Sequence, residues 1–290
     1  MKRKLLLGGL LEMDIFAEIV RLREAGRKCA LATIVEVNGS IPSYETAKML
    51  IRDDGSIAGT VGGGCVEAEV WNSARQVMET GKPKRLEFNL GNDVSYENGL
   101  ICGGQLTIFV EPIFPPTKLF LFGGGHVSLS ICRMAALAGF PTVVVDDRVA
   151  FANRERFPEA DAVHAGEYEK IVPALPINEL SYVVIVTRGH RDDMRVLRLA
   201  LQTPACYVAM IGSRRKVIGV VKELEKEGLP PETWEKLFAP MGLDIGAVTP
   251  EEIAVSVVAE MIAHKRKAAS GWRELSKSLF AGQRERILKQ

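Results

Sequence analysis

The residues best equipped for chemistry are two cysteines set in glycine. Cys65 follows Gly62-Gly63-Gly64, and Cys102 precedes Gly103-Gly104. Glycine strips side chains from around a thiol, so a bulky ligand can reach sulfur and backbone amides together. A thiolate is both a nucleophile and a soft metal ligand. One such cysteine would read as a small buried residue, the usual place of an unpaired Cys. Two of them, both in glycine-rich loops, read as functional.

A second constellation is Gly123-x-Gly125-x-x-Ser128, directly after the apolar run Lys118 to Phe122 and at the start of a helical pattern. In such a loop the first glycine permits the tight turn and the second lets backbone approach a pyrophosphate. The helix N-terminus then offers N–H donors and the positive end of its dipole. The third position, which favours close helix–strand packing, is Ser128. Asp146 ends the next strand about twenty residues on, where a ribose hydroxyl acceptor is expected. The same residues also suit a Rossmann domain that holds no dinucleotide, because fold does not fix function. Two further clusters follow strands. Thr187-Arg188-Gly189-His190-x-x-Asp193 offers Arg188 for a phosphate and His190 as a candidate proton shuttle or hydrogen-bond donor. Ile211-Gly212-Ser213-Arg214-Arg215-Lys216 places an N-cap serine before three bases, an arrangement that suits an anion; the alternative is a solvated basic turn. Thr249-Pro250-Glu251-Glu252 is a capping box and reads as structural.

The elements that position these residues divide in two. In the first half, Asp14 to Ala25 reads as a helix with Ile15, Ile19 and Leu22 on one face. Cys29 to Val37, Lys48 to Arg52, Lys84 to Leu90 and Gln105 to Val110 read as strands, Ser56 to Val61 as extended, and Val66 to Glu79 as an amphipathic helix. In the second half strands alternate with helices: Lys118 to Phe122, Pro141 to Val145, Ser181 to Val186 and Cys206 to Ile211, with a helix from His126 to Ala138. That alternation implies parallel βαβ units with right-handed crossovers. The fold class is therefore α/β, an N-terminal α+β domain followed by a Rossmann-type, doubly wound parallel sheet. The prolines of Glu111-Pro112-Ile113-Phe114-Pro115-Pro116-Thr117 should end the first domain, since proline continues neither a helix nor a central strand. The expected division is 1–112, a linker 113–117, a Rossmann-like domain 118–266 and a polar, helical tail 267–290.

Bulk properties bound the function. The chain has 290 residues, a length that favours two domains, and a formal net charge of +1. That balance argues against a basic face for nucleic acid. Five cysteines, with no Cys-x-x-Cys pair, fit a reducing cytoplasm better than a disulfide framework or zinc ribbon. The basic, then apolar start at Met1 to Leu11 is interrupted by Glu12 and Asp14 and lacks a small-residue cleavage site, so it reads as an extension before the first helix. No apolar run approaches the roughly 20 residues of a membrane span.

With these blocks in view, the chain resembles the xanthine dehydrogenase accessory factor family (XdhC/CoxI) from about Phe16 to about His264. The first half carries Gly39-Ser40-Ile41-Pro42, Ala47-Lys48-Met49, Gly59 to Glu67 (GTVGGGCVE) and Cys102-Gly103-Gly104. The second carries Phe122 to His126 (FGGGH), Val145-Asp146-Asp147-Arg148, Thr187 to His190, Ile211 to Arg215, Gly242 to Gly246 and Thr249 to Ile253. The resemblance implies a chaperone of the molybdenum cofactor, a molybdopterin with molybdenum on its dithiolene. Such a chaperone assists the cofactor's sulfuration with a cysteine desulfurase and delivers it to a xanthine dehydrogenase-type molybdenum hydroxylase; separately, a homodimer is the expected assembly. It further implies that Cys65 and Cys102 contact the molybdenum or its terminal sulfur. Gly62, Gly63, Gly64, Gly103 and Gly104, with Gly123, Gly125 and His126, would admit the pterin and its phosphate, and Glu67 would accept a pterin or helix N–H. Asp146, Arg188, His190, Ser213 and Arg214 complete the candidate binding set. Two positions depart from the pattern: Ser43 stands where the family has Arg, and Thr46 where it has Gly. The competing readings are an NAD(P)-dependent oxidoreductase using Asp146 for ribose and His190 for acid–base work, and a module that senses a nucleotide in its Rossmann half.

Overall fold

The structure is a computed structural model that describes residues 14–39, 45–90, 104–268 and 271–280. It divides into two compact units, Met1–Pro115 and Pro116–Gln290. The first opens with α1 (Ile15–Glu24), whose N-cap Asp14 accepts from the N–H groups of Phe16 and Ala17. Strands β1 (Cys29–Asn38), β2 (Lys48–Arg52) and β3 (Ile57–Gly59) follow, then α2 (Gly64–Thr80), β4 (Lys84–Asn89) and β5 (Gln105–Ile113). The five strands form an antiparallel sheet in the order β3-β2-β1-β5-β4.

Side-chain alternation decides what covers each face. Along β1, Ala30, Ala32 and Ile34 point to one side and pack with Val66, Val70, Ala74 and Val77, the apolar stripe of α2. Cys29 and Leu31 point to the other and pack with Ile19 and Leu22 of α1. Arg52 of β2 reaches Glu18 on α1 at 2.7 Å and fastens that helix to the sheet. Cys29 is thus a core residue, and burial pushes its thiol up to about 11. β5 continues through Pro112, where the sequence suggests a boundary. The reason is local: β4 stops at the residue paired with Val110, so at Pro112 only β1 flanks the strand, and an edge position tolerates a missing N–H.

Thr46, just before β2, has φ 71, in the left-handed region where a β-branched residue is an outlier. Its N–H still bonds the Ile34 carbonyl at 3.1 Å, so the sheet holds it there. This accounts for the glycine of the family pattern, since the position needs the backbone that glycine adopts freely, and not for the threonine that replaces it. Thr46→Gly should therefore stabilise the protein by about 1 kcal/mol, a rise of about 2–4 °C in Tm by thermal denaturation. An unchanged or lower Tm would show that the strain is not carried by this residue.

The second unit builds β6 (Leu119–Phe122), α3 (His126–Leu137), β7 (Thr142–Asp146), β8 (Ala162–Ala165), α4 (Tyr168–Ile171), β9 (Tyr182–Ile185), α5 (His190–Gln202), β10 (Tyr207–Met210), α6 (Arg214–Lys226), β11 (Leu237–Phe238), α7 (Pro250–Lys265) and the single turn α8 (Trp272–Leu275). All six strands run parallel in the order β11-β10-β9-β6-β7-β8. Counted from the first strand of the unit this is the 3-2-1-4-5-6 order of a doubly wound dinucleotide fold, and its switch point lies between β6 and β9. The strands are buried throughout β6, β7, β9 and β10, as a sheet covered on both faces requires. One face packs α5 and α6, the other α3 and α7. The capping box opens α7 with both of its bonds, Thr249 to the Glu252 N–H and Glu252 back to the Thr249 N–H.

The tail after α7 is pinned by polar contacts. The Lys277 N–H donates to the Gly242 carbonyl at 2.9 Å and the Leu279 N–H to the Ala239 carbonyl at 2.9 Å. The buried Glu260 carboxylate accepts from Ser276, from the Tyr207 hydroxyl at 2.6 Å and from the Gly242 N–H at 2.9 Å. Beside it, His264 sits among Tyr182, Tyr207, Phe238 and Trp272, and burial pulls its imidazole down to about 4. Among the described residues no helix is long and apolar enough to cross a membrane.

Candidate functional site

In the first unit the site residues stand on one turn. Gly62, Gly63 and Gly64 have φ of 123, 80 and 62, three consecutive left-handed residues that no other sequence adopts without strain. The turn delivers Cys65 onto the first turn of α2 rather than into a loop, with Gly63 as an N-cap that has no side chain. A Cβ at Gly63 would meet no atom of the described residues within 4 Å. Glu67, also in the first turn of the helix, folds back toward the glycines. Its Oε1 accepts from the Thr60 hydroxyl, from the Val61 N–H at 3.2 Å and from the Gly63 N–H at 3.1 Å. The expected helix N–H contact is replaced by N–H groups of the turn that precedes α2, because the Glu67 side chain folds back past the helix start. Gly104 is buried just before β5, where its carbonyl accepts from the Leu90 N–H at 2.8 Å. Cys102 and Gly103 lie outside the described residues. The other described cysteines have packing roles: burial pushes the thiols of Cys132 and Cys206 up to about 11, as it does Cys29.

In the second unit the candidates collect along the carboxyl edge of the sheet, the edge where such folds bind ligands. Gly123 has φ 109 at the end of β6, and a Cβ there would stand 2.2 Å from the Val186 carbonyl oxygen at the end of β9. The two strand ends meet at the switch point because this residue has no side chain. Gly125 and Gly189 are the N-caps of α3 and α5, neither start has a capping side chain, and a Cβ on either glycine meets nothing within 4 Å. Among the described residues of this unit, nothing covers the N-termini of the two helices flanking the switch point, and His126 and His190 are exposed on their first turns.

Asp146 faces inward. It is 1% exposed, and its carboxylate accepts from the Gly124 N–H at 2.6 Å, the Arg148 N–H at 3.0 Å, and the Arg148 Nε and Nη2 at 2.8 and 2.9 Å. Burial alone would raise its pKa, but the bonds from Arg148 and Gly124 outweigh burial and hold it below the usual carboxylate range. Arg148 also lies over the Phe151 ring at 3.6 Å. This geometry ties strand end to glycine loop and does not match a carboxylate held out for ribose hydroxyls. Asp147, its neighbour, is the half-buried acid at this edge. Burial and the Asp146 carboxylate push it up, and Arg188 meets it at 2.9 Å. Arg188 also reaches Asp192 at 3.2 Å, so its guanidinium spans from the end of β7 to α5.

The basic motif after β10 resolves into different roles. Ser213 caps α6 through the Lys216 N–H at 3.3 Å, and Arg214 and Arg215 are exposed. Lys216 instead turns inward to the fully buried Asp193, which also accepts from the Thr187 hydroxyl at 2.6 Å. Arg156 is a residue that sequence reasoning does not find. Its Nε donates to the Gly124 carbonyl at 2.8 Å, and its Nη2, with the Ser128 hydroxyl in the first turn of α3, is a buried polar atom without a partner among the described residues. Nothing in the local sequence marks Arg156, because the Phe151–Phe157 loop is brought to the glycine turn only by the fold. Among the described residues no group of three or more His, Cys, Asp or Glu comes together to hold a metal ion.

An antiparallel α+β domain presenting a glycine-set cysteine, followed by a Rossmann domain whose acidic strand end is turned inward, defines the class. Residues 22–89 match the XdhC and CoxI family and residues 119–261 match the XdhC Rossmann domain. The chain belongs to the XdhC/CoxI family. It is 36% identical over 260 residues to the uncharacterized protein YqeB of Escherichia coli, in a match that covers 89% of this chain and 48% of that one. The chain therefore spans about half the length of that relative. It is 24% identical to a probable xanthine dehydrogenase subunit of Bacillus subtilis, over 86% of this chain and 96% of that one. To the molybdenum cofactor insertion chaperone PaoD of Escherichia coli it is 21% identical, over 82% and 83%.

Proposed function

We propose that the protein is a chaperone of the molybdenum cofactor that carries it as cargo to a xanthine dehydrogenase-type molybdenum hydroxylase. On this reading it holds the molybdenum or its terminal sulfur through Cys65, with Cys102 as the second thiol, while a cysteine desulfurase supplies the sulfur. The observation that carries the reading is the Gly62–Gly64 turn, which sets Cys65 at the start of α2, with no described atom within 4 Å of where a Gly63 Cβ would stand. A soft thiol next to bare backbone suits a metal–dithiolene group with a flat pterin behind it. The relationship to PaoD, named as an insertion chaperone for this cofactor, supports the same cargo. The Rossmann half is assigned a phosphate or nucleotide through the N-termini of α3 and α5. The nicotinamide oxidoreductase reading is weaker, because Asp146 is committed to Gly124 and Arg148.

The test is the molybdenum and oxidised-pterin content of protein purified without oxygen from a host that makes the cofactor. Near-stoichiometric molybdenum and pterin are expected, reduced about tenfold or more in Cys65→Ser, as loss of a principal ligand implies. Equal loading of Cys65→Ser, or no pterin in the wild type together with tight NAD(P) binding, would overturn the proposal.

A further inference from the structure

The acid that follows the glycine turn has a use that the motif alone does not reveal. We infer that Glu67 is the positioning residue for Cys65, holding the turn in the one shape that presents the thiol and taking no part in binding the cargo itself. This rests on the proposed role of Cys65.

Three left-handed glycines in sequence are the most freely mobile backbone a chain can contain, so something must select one conformation. The selection is visible in the bonds. One oxygen of Glu67 accepts from Thr60, Val61 and Gly63 together, and the Thr60 hydroxyl in turn accepts from the Gly62 N–H at 3.2 Å. The acceptor stands on α2 itself, two residues beyond Cys65, so turn and thiol are fixed in the same helical frame. The N–H groups of Val61 and Gly63 form a concave cluster of the kind that binds anions, and the protein's own carboxylate fills it. An anionic cargo is therefore not read by those two amides. It meets Cys65 and the side of the turn at Gly63 instead.

The experiment uses the full chain and two readouts. The first is the rate of Cys65 alkylation by iodoacetamide, followed by peptide-resolved mass spectrometry, which needs no cofactor. The second is molybdenum content after anaerobic purification. Glu67→Gln keeps an acceptor oxygen at the right reach and should leave both within about threefold of the wild type. Glu67→Ala removes the acceptor, and the loss of all its bonds to the turn should change the alkylation rate about tenfold and lower molybdenum content as Cys65→Ser does. If Glu67→Ala does not fold, Glu67→Asp replaces it, since it keeps the charge but is one methylene too short to reach Gly63. An alkylation rate unchanged in Glu67→Ala or Glu67→Asp overturns the inference. So does Glu67→Gln losing molybdenum as Glu67→Ala does while keeping the wild-type alkylation rate, because charge toward the cargo and not acceptor geometry would then be what matters. If Cys65→Ser keeps its molybdenum, it is the cofactor reading that fails, and the alkylation arm still decides the positioning of Cys65.

Discussion

Gly123→Ala is expected to abolish or nearly abolish folding of the Rossmann half, whereas Gly125→Ala two residues on is expected to be tolerated. At Gly123 the added methyl meets backbone, 2.2 Å from the Val186 oxygen and 2.6 Å from its carbonyl carbon, and the residue already sits at φ 109. Neither atom can yield cheaply, because the N–H of Val186 bonds the Phe122 carbonyl at 2.8 Å and the two strands are laddered below that point. Strain at positive φ and a backbone overlap together imply a loss of about 4 kcal/mol or more, the range that marks a structurally decisive position. At Gly125 a methyl meets no described atom within 4 Å and φ is an ordinary −73, so only the modest N-cap preference is lost, about 1 kcal/mol or less. Soluble yield and Tm of the two variants measure the contrast. Equal stability of both would show that the strand ends can separate at the switch point.

Replacing Asp146 should damage stability before it damages nucleotide binding. In Asp146→Ala the Gly124 N–H and the Arg148 guanidinium lose a buried partner, and removing one member of such a pair costs about 3–5 kcal/mol. The lower end is expected, since Arg148 is 29% exposed and its charge can turn to water. The pH dependence carries a definite sign. The folded-state pKa of Asp146 lies below its ordinary value, so its contribution is complete above the ordinary carboxylate range and is lost as pH falls through the folded value. Asp146→Asn should therefore narrow the gap to the wild type in acid and widen it near neutrality, read as urea midpoints across about pH 2–7. If Asp146→Ala keeps its Tm and instead loses binding of a nicotinamide nucleotide, the carboxylate is a ribose acceptor after all.

Much of the architecture is legible in the residues, for reasons that can be named. The β6–glycine–α3 sequence, the apolar runs of β7, β9 and β10, and the stripe of α2 each carry a period or composition that leaves little choice. The capping box at Thr249 and the N-cap at Ser213 are legible for the same reason. What the residues hide is equally specific. Four residues at Ala162–Ala165 and two at Leu237–Phe238 carry no period; they become β8 and β11 because β7 and β10 offer them a free edge. Pro112 hides the end of β5 because its tolerance depends on where β4 stops. At the site, motif spacing locates Asp146 and Glu67 but not the direction in which their carboxylates point. Spacing suggests that Asp146 faces a ligand and allows the same for Glu67, yet both are turned to backbone N–H groups of the neighbouring glycine turn. Lys216 likewise sits in a run of exposed bases, but its partner Asp193 comes from a different helix, which one-dimensional spacing does not show.

The pre-ordered turn before α2 has a kinetic consequence. A carrier must let go as readily as it holds, and a loop that folds around its cargo has to unfold to release it. In the proposed carrier role, the backbone on which Cys65 stands is already shaped by bonds internal to the chain, so arrival would demand little ordering and departure would leave nothing to refold. Exchange with an acceptor enzyme would then be limited by breaking contacts at sulfur, and residence time could be tuned by the thiol without altering the rate of capture.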